Sequence, residues 1–328
     1  MRNLLQRVPS GTWFMVLAIV LFAARRIDAG SCCGGGTASA LLMPKSAKLL
    51  LAAGGDFEKY SGYFDRNGRH LNDPPGSDLR QYRLNGGVAY RLASRWQTGI
   101  ASGYVFNSNT YSGLVSNTNG PADTVASVTY ETFDNIRCVW KVRKWEDMIP
   151  AVYLGSQLTL PTGVSPYDNV QSSFDITGRG FYRLEGKAIV EKTIYPFTLA
   201  VTVLYGTHFA RPVNRDYGVY VDPYRKRLGD RFQAVAALSY SYFTDAMASL
   251  TITATYTYLT EQDATINGNI DPTSGFRRHL AGAALAWANA GRDLIYSLSY
   301  NPAFVEPGFG RNFPATHAIS LGVNYVLR

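Results

Sequence analysis

Ala248-Ser249-Leu250-Thr251-Ile252-Thr253-Ala254-Thr255-Tyr256-Thr257-Tyr258 is the stretch that decides the fold. Every second residue is apolar or aromatic (Ala248, Leu250, Ile252, Ala254, Tyr256, Tyr258), and every residue between them is Ser or Thr. Side chains alternate across a strand, so one face of this segment suits lipid and the other suits water. The last segment repeats the pattern. Ile319, Leu321, Val323, Tyr325 and Leu327 share one face, with Ala318, Ser320, Gly322 and Asn324 on the other. Such alternation is required of every strand in a membrane-spanning β-barrel.

Working outward, segments of this kind fall near 48–59, 79–92, 96–107, 126–142, 149–161, 178–192, 196–209, 229–243, 246–260, 276–289, 293–302 and 314–327. The spacing predicts an all-β, transmembrane antiparallel barrel of about twelve strands over residues 48–328, with fourteen as the alternative count. Short turns are expected at 93–95, 143–148, 193–195, 244–245 and 290–292. Long polar connections are expected at 60–78, 108–125, 162–177, 210–228, 261–275 and 303–313, rich in Asn, Asp, Pro, Gly and Arg. An even count puts both termini on the periplasmic side and the long loops outside, in the outer membrane of a Gram-negative bacterium. The chain ends like those handled by the outer-membrane assembly machinery, except that Leu327 and Arg328 stand where an aromatic residue is usual.

The composition fits. Mean hydropathy of -0.10 and 46% hydrophobic residues imitate a soluble protein, because only alternate residues of a barrel strand meet lipid. The 22 Tyr, 16 Phe and 5 Trp cluster at strand ends, as at Trp96, Trp140, Trp145, Tyr195, Phe197, Phe243 and Tyr258, where amphipathic rings form girdles at the lipid boundary. A soluble β-sandwich is the rival fold.

Residues 1–29 read as an export signal: Arg2 and Arg7 precede an apolar run from Thr12 to Ala24 that is too short for a spanning helix. The net charge of +8 is partly the leader's, and no Lys/Arg stripe with interleaved aromatics points to nucleic acid. Residues 30–47 read as a flexible periplasmic Cys/Gly-rich segment. In it Cys32 and Cys33 are adjacent, which strains a bond between them. Three readings stay open: a lipid-carrying Cys32, a soft-metal contact through Cys32 and Cys33, or a flexible tail whose thiols have no role that the sequence assigns. Cys138 is expected on the lipid face of the fourth strand beside Ile136 and Trp140.

A family resemblance lies in the middle of the chain. Gly155-Ser156-Gln157-Leu158-Thr159-Leu160-Pro161-Thr162-Gly163 is followed by Asp168, then by Thr177-Gly178-Arg179-Gly180, then by a Pro-led strand from Pro196 to Phe209. Over about residues 149 to 210 this resembles the transporter-like outer-membrane barrels named for the meta-pathway of phenol degradation. That resemblance implies a barrel that passes small hydrophobic or aromatic compounds.

Projecting each strand with its apolar face outward places Gln81, Arg83, Asn85 and Arg91 in the lumen. The fourth strand adds Glu131, Asn135, Arg137 and Lys141, the sixth adds Arg183, Glu185, Lys187 and Glu191, and the eighth adds Arg231 and Gln233. Arginines outnumber carboxylates in this set, which predicts a mild anion preference in any conduit. Phospholipase-type barrels resemble one another in a His-x-Ser pair, and protease-type barrels in an Asp-x-His. Two residues beyond His70, His208, His279 and His317 stand Asn72, Ala210, Ala281 and Ile319, and two residues before them stand Gly68, Gly206, Arg277 and Ala315. The sequence therefore predicts a passive transporter or narrow porin, not an enzyme and without a cofactor, whose partners are outer-membrane lipid, the assembly machinery and a small solute. The apolar wall would also permit a homo-oligomer. The alternative is a structural or interaction barrel with a plugged lumen, whose Cys32-Cys33 tail engages a periplasmic redox or metal-handling partner.

Overall fold

The computed structural model describes residues 41–328 apart from 174, 245 and 246, so the export signal, Cys32 and Cys33 lie outside the described residues. Twelve strands form the barrel: β1 (Leu49–Phe64), β2 (Asp78–Ala93), β3 (Trp96–Tyr111), β4 (Thr124–Glu131), β5 (Ala151–Leu160), β6 (Arg183–Ile194), β7 (Phe197–His208), β8 (Arg231–Phe243), β9 (Ser249–Glu261), β10 (Phe276–Ala288), β11 (Leu294–Asn301) and β12 (Phe313–Leu327). Each pairs antiparallel with its neighbour in sequence, and β12 returns to β1 in register from Leu49 opposite Leu327 to Phe64 opposite Phe313, which closes the cylinder. Closure pairs the first strand with the last and so leaves no open sheet edge in lipid.

The alternation read from β9 is physical. Ile252 is 55% exposed on the outer wall, while Thr253 beside it is 4% exposed toward the interior. Leu84, Leu92, Leu199, Leu238, Leu298 and Leu321 continue the exposed apolar wall around the barrel. At the turn end, Trp140, Tyr195 and Phe243 stack with ring centroids 4.2 and 5.3 Å apart, forming part of the expected girdle. At the other end the long connections fold. Leu114–Pro121 extends β3 as a ribbon, and Arg211–Asp216, Val219–Arg227, Ala264–Ile266 and Asn269–Asp271 make a separate four-stranded sheet.

Four expectations need correction. The fourth strand was read to residue 142 but stops at Glu131, so residues 132–150 are a long connection rather than a short turn at 143–148; they hold a two-residue bridge, Cys138–Val139, and a 3-10 turn, Trp145–Met148. The cause is local: Phe133 turns inward against Tyr153, with ring centroids 5.2 Å apart, and Asp134 turns back to Arg95. Cys138 is therefore not on the wall of β4; it pairs parallel with Thr193 of β6. The sixth strand begins at Arg183, because residues 178–182 are held by other contacts described below. Finally, residues 41–47 are not loose. Met43 and Ala47 are buried with Leu50, Ala89, Ala286, Ile295 and Val326, and Leu41 packs against the same group, so the chain enters the periplasmic mouth from within.

Candidate functional site

The lumen is the site a barrel offers, and register settles which side chains line it. In β1, Asp56, Glu58 and Tyr60 share the inward face with Leu50. Gln81, Arg83, Asn85, Ala89 and Arg91 do so in β2, and Arg183, Glu185, Lys187, Ile189 and Glu191 in β6. Running across the sheet, one inward row reads Gln157, Glu185, Gly206, Arg231, Glu261 and Phe276. The next row toward the periplasm reads Gly155, Lys187, Leu204, Gln233, Leu259 and Arg278.

Two of the inward carboxylates are each shared between basic groups. Glu58 sits 2.5 Å from Arg83 and 3.7 Å from Arg278. Glu185 sits 3.0 Å from Arg183 and 4.0 Å from Arg231, and accepts a 2.7 Å hydrogen bond from the Gln157 amide. Asp56 instead accepts from Asn85 at 2.6 Å. Buried carboxylates need such partners, because desolvation without them costs several kcal/mol. Where one carboxylate serves two cations, a positive charge is left over. Gly206 makes room for one such group: a Cβ there would lie 2.2 Å from Glu185 Cγ, so Glu185 lies over the bare backbone on its way to Arg231.

Of the lumen-lining candidates, Arg83, Arg91, Glu131, Arg183, Glu185, Lys187 and Arg231 lie on inward faces. Arg137 and Lys141 fall in the 132–150 connection, where Lys141 is exposed and Arg137 half-buried. Glu131, fully buried, ends β4 as the acceptor of the N-terminal segment. Lys45 donates to it at 2.7 Å, Arg91 at 2.8 Å and Gln97 at 3.0 Å, while Lys45 also reaches the Phe133 carbonyl at 2.8 Å. Met43 N–H donates to Gln97 at 2.8 Å. A Cβ on Gly87 would lie 2.9 Å from a Leu41 methyl, so small wall residues make space for this chain.

Sequence projection missed Glu58, Arg278, Glu261, Arg179 and Lys45. The first three were legible in principle as polar members of alternating faces, in Asp56-x-Glu58-x-Tyr60, in Arg278-x-Leu280 and in Leu259-x-Glu261. Arg179 and Lys45 stand outside any strand, and periodicity carries no signal for them. Arg179 comes in from the outer loop and holds Glu261 through two hydrogen bonds of 2.6 and 2.7 Å.

The Pro-Thr-Gly and Thr-Gly-x-Gly motifs explain how that loop is fastened. Gly163 and Gly178 meet backbone to backbone, since a Cβ on Gly163 would lie 2.7 Å from Gly178 Cα. Asp123 caps both halves, accepting from Gly163 N–H at 3.1 Å and Arg179 N–H at 2.9 Å. Thr177 Oγ donates to the Pro121 carbonyl at 2.6 Å and accepts from Val164 N–H at 2.8 Å. Above them Tyr167 packs on Phe181 with the Arg211 guanidinium 5.3 Å from its ring, and burial, with Asp216 nearby, pushes the Tyr167 phenol up. The motif residues thus set the outer mouth rather than line the lumen.

No family model matches the sequence, and no curated protein matches it. Among solved structures, the chain is similar to the COG4313 outer membrane channel from Pseudomonas putida F1, at 12% identity and a TM-score of 0.62, over 89% of this chain and 99% of that one. It also aligns with the β domain of the Bordetella autotransporter BrkA, at 12% identity and a TM-score of 0.47, over 86% of this chain and 99% of that one. At these identities the likeness speaks to fold: an outer-membrane β-barrel of twelve strands.

Proposed function

We propose that the protein is a passive outer-membrane channel for small solutes, with a charged lumen and long outer loops that control entry. The observation that carries this reading is a charged interior in which Glu58, Glu131 and Glu185 are each shared by two basic side chains, with Lys45 and Arg179 adding positive charge from outside the strands. A wall built only for stability would pair its charges one to one, because an extra buried cation costs desolvation free energy. The motif resemblance over residues 149–210 adds small hydrophobic or aromatic cargo to the solutes considered, and no catalytic role is assigned. Purified protein in planar bilayers should show discrete conductance steps with anion preference. Replacing Arg183 and Lys187 by Glu should shift reversal potentials toward cations; unchanged selectivity would remove both from the pathway.

A second reading has its own support. Residues 41–47 occupy the periplasmic mouth, so a resting barrel that conducts nothing until that segment moves is the alternative. Absence of conductance over a wide voltage range, restored by deleting residues 30–47, would favour it.

A further inference from the structure

Lys187 is the side chain that the ion-pair scheme leaves over. It lies on the inward face of β6, is 9% exposed, and has no hydrogen-bond or ion-pair partner among the described residues. Neighbouring cations are also incompletely used. The Nε atoms of Arg183 and Arg231 are buried without a hydrogen-bond acceptor, although Glu185 lies 3.0 Å from the former and 4.0 Å from the latter. A buried ammonium without a counter-charge costs free energy, which an arriving anion recovers.

What surrounds Lys187 narrows the class of anion. Its cross-strand neighbours are Gly155, which offers no side chain, and Leu204. Beyond Leu204 in the same row comes Gln233, then Leu259. One step toward the periplasm the inward positions are Ile189, Thr202 and Val235. One step outward lie Glu185 and Arg231. The ammonium therefore stands at the border between a charged belt and an apolar patch facing the lumen. Inorganic ions would use the charge and ignore the patch; neutral hydrocarbons would do the reverse.

We infer that Lys187, with Leu204 across from it and Ile189 and Val235 in the next row, forms a binding station for an organic monoanion whose carboxylate meets the ammonium and whose apolar body lies on those side chains. This deepens the channel reading and rests on it for the station's purpose, though not for its existence. Two measurements keep the two claims apart. Equilibrium dialysis of the full chain in micelles against benzoate, with acetate as the carboxylate lacking an apolar body, reads the station; planar-bilayer conductance reads the channel. Benzoate should bind about tenfold more tightly than acetate, and Lys187→Met should weaken benzoate binding about tenfold, the ratio expected for loss of one charge-assisted contact. Lys187→Arg should retain most of the binding. Leu204→Asn should narrow the gap between benzoate and acetate while leaving acetate unchanged, and it serves as the decisive variant if Lys187→Met fails to give a heat-modifiable barrel. Equal binding of the two carboxylates by the wild type, or wild-type benzoate binding by a folded Lys187→Met, overturns the station while leaving a conducting channel intact. Benzoate binding that needs Lys187, in a protein that passes no current, upholds the station and overturns the channel.

Discussion

The outer half of the lumen and its periplasmic mouth solve the same problem with opposite materials. Outside, the inward faces carry long charged side chains held strand to strand, as in Arg83 to Glu58 and Arg231 to Glu185. Near the periplasm the wall of β8 to β12 carries Ala237, Ser239, Thr253, Ala284, Ser297 and Gly322, and the space these small residues leave goes to a piece of main chain instead. The lesson is one of volume. A barrel of fixed strand number has a fixed bore, so bulk is supplied either by its own side chains or by an inserted segment. Side chains tethered at both ends of an ion pair make a permanent constriction, whereas a segment tethered at Lys45, Met43 and Leu41 can be removed as a unit.

The contrast breaks most severely at Glu131, which accepts from both Lys45 and Arg91 with no exposure of its own. Glu131→Ala leaves two largely buried cations uncompensated and should destabilise the barrel by about 3–5 kcal/mol. Urea unfolding from lipid vesicles, followed by tryptophan fluorescence, measures this; a midpoint within error of wild type would mean that the segment is not fastened there. Gly87→Val tests the segment while sparing the ion pairs. Its added carbon meets Leu41 methyls at 2.9 and 3.1 Å and Ala101 Cβ at 3.3 Å, so the segment must withdraw at a cost of about 1–3 kcal/mol, as for other overpacked sites. Conductance should rise. If it falls, the valine itself is the obstruction and the segment is not the seal.

How much of this contrast the sequence displays depends on whether a residue belongs to a strand. Period-two alternation assigns a face to Arg83, Arg183, Glu185 and Lys187 without any knowledge of partners. The barrel itself was legible for the same reason, from Thr253 beside Ile252. Failures cluster where the chain leaves the ladder. Arg137 and Lys141 were projected through a strand that Phe133 and Asp134 had already ended. Lys45 lies before the first strand, and the use of Gly163 and Gly178 as a backbone-to-backbone contact is invisible until residues fifteen apart are brought together. Alternation reports on the wall; what fills or covers the wall is tertiary.

The outer mouth sharpens the comparison at a smaller scale. Arg179 is about one-third exposed, so its paired hydrogen bonds to Glu261 are partly screened. Arg179→Ala should therefore cost about 1–2 kcal/mol rather than the figure for a fully buried pair. Its sharper consequence is local: the 161–182 loop loses its inward anchor while Asp123 still holds Gly163. Limited proteolysis of intact vesicles should cut that loop faster, with the barrel core unchanged. Cleavage at the wild-type rate would show that Asp123 and Thr177 suffice.

The smallest effect is expected at the periplasmic rim, where Arg95 pairs with Asp134 in full view of solvent. The Arg95 guanidinium holds the Asp134 carboxyl below the usual carboxylate range. A carboxylate lowered on folding adds stability only above its unfolded value, about 3.9, and loses it as pH falls through the folded one. Asp134→Asn should therefore leave unfolding at pH 7 nearly unchanged, since exposed pairs contribute little, and should remove a shallow slope confined to pH values below about 4. The pair nevertheless helps turn the chain out of β4 just beyond Glu131, so the variant also asks whether the strand end is set by this exposed contact or by the buried one. A wild-type acid slope in Asp134→Asn would assign that slope to the buried carboxylates of the lumen, and the rim would then owe its geometry to Glu131 and Phe133 alone.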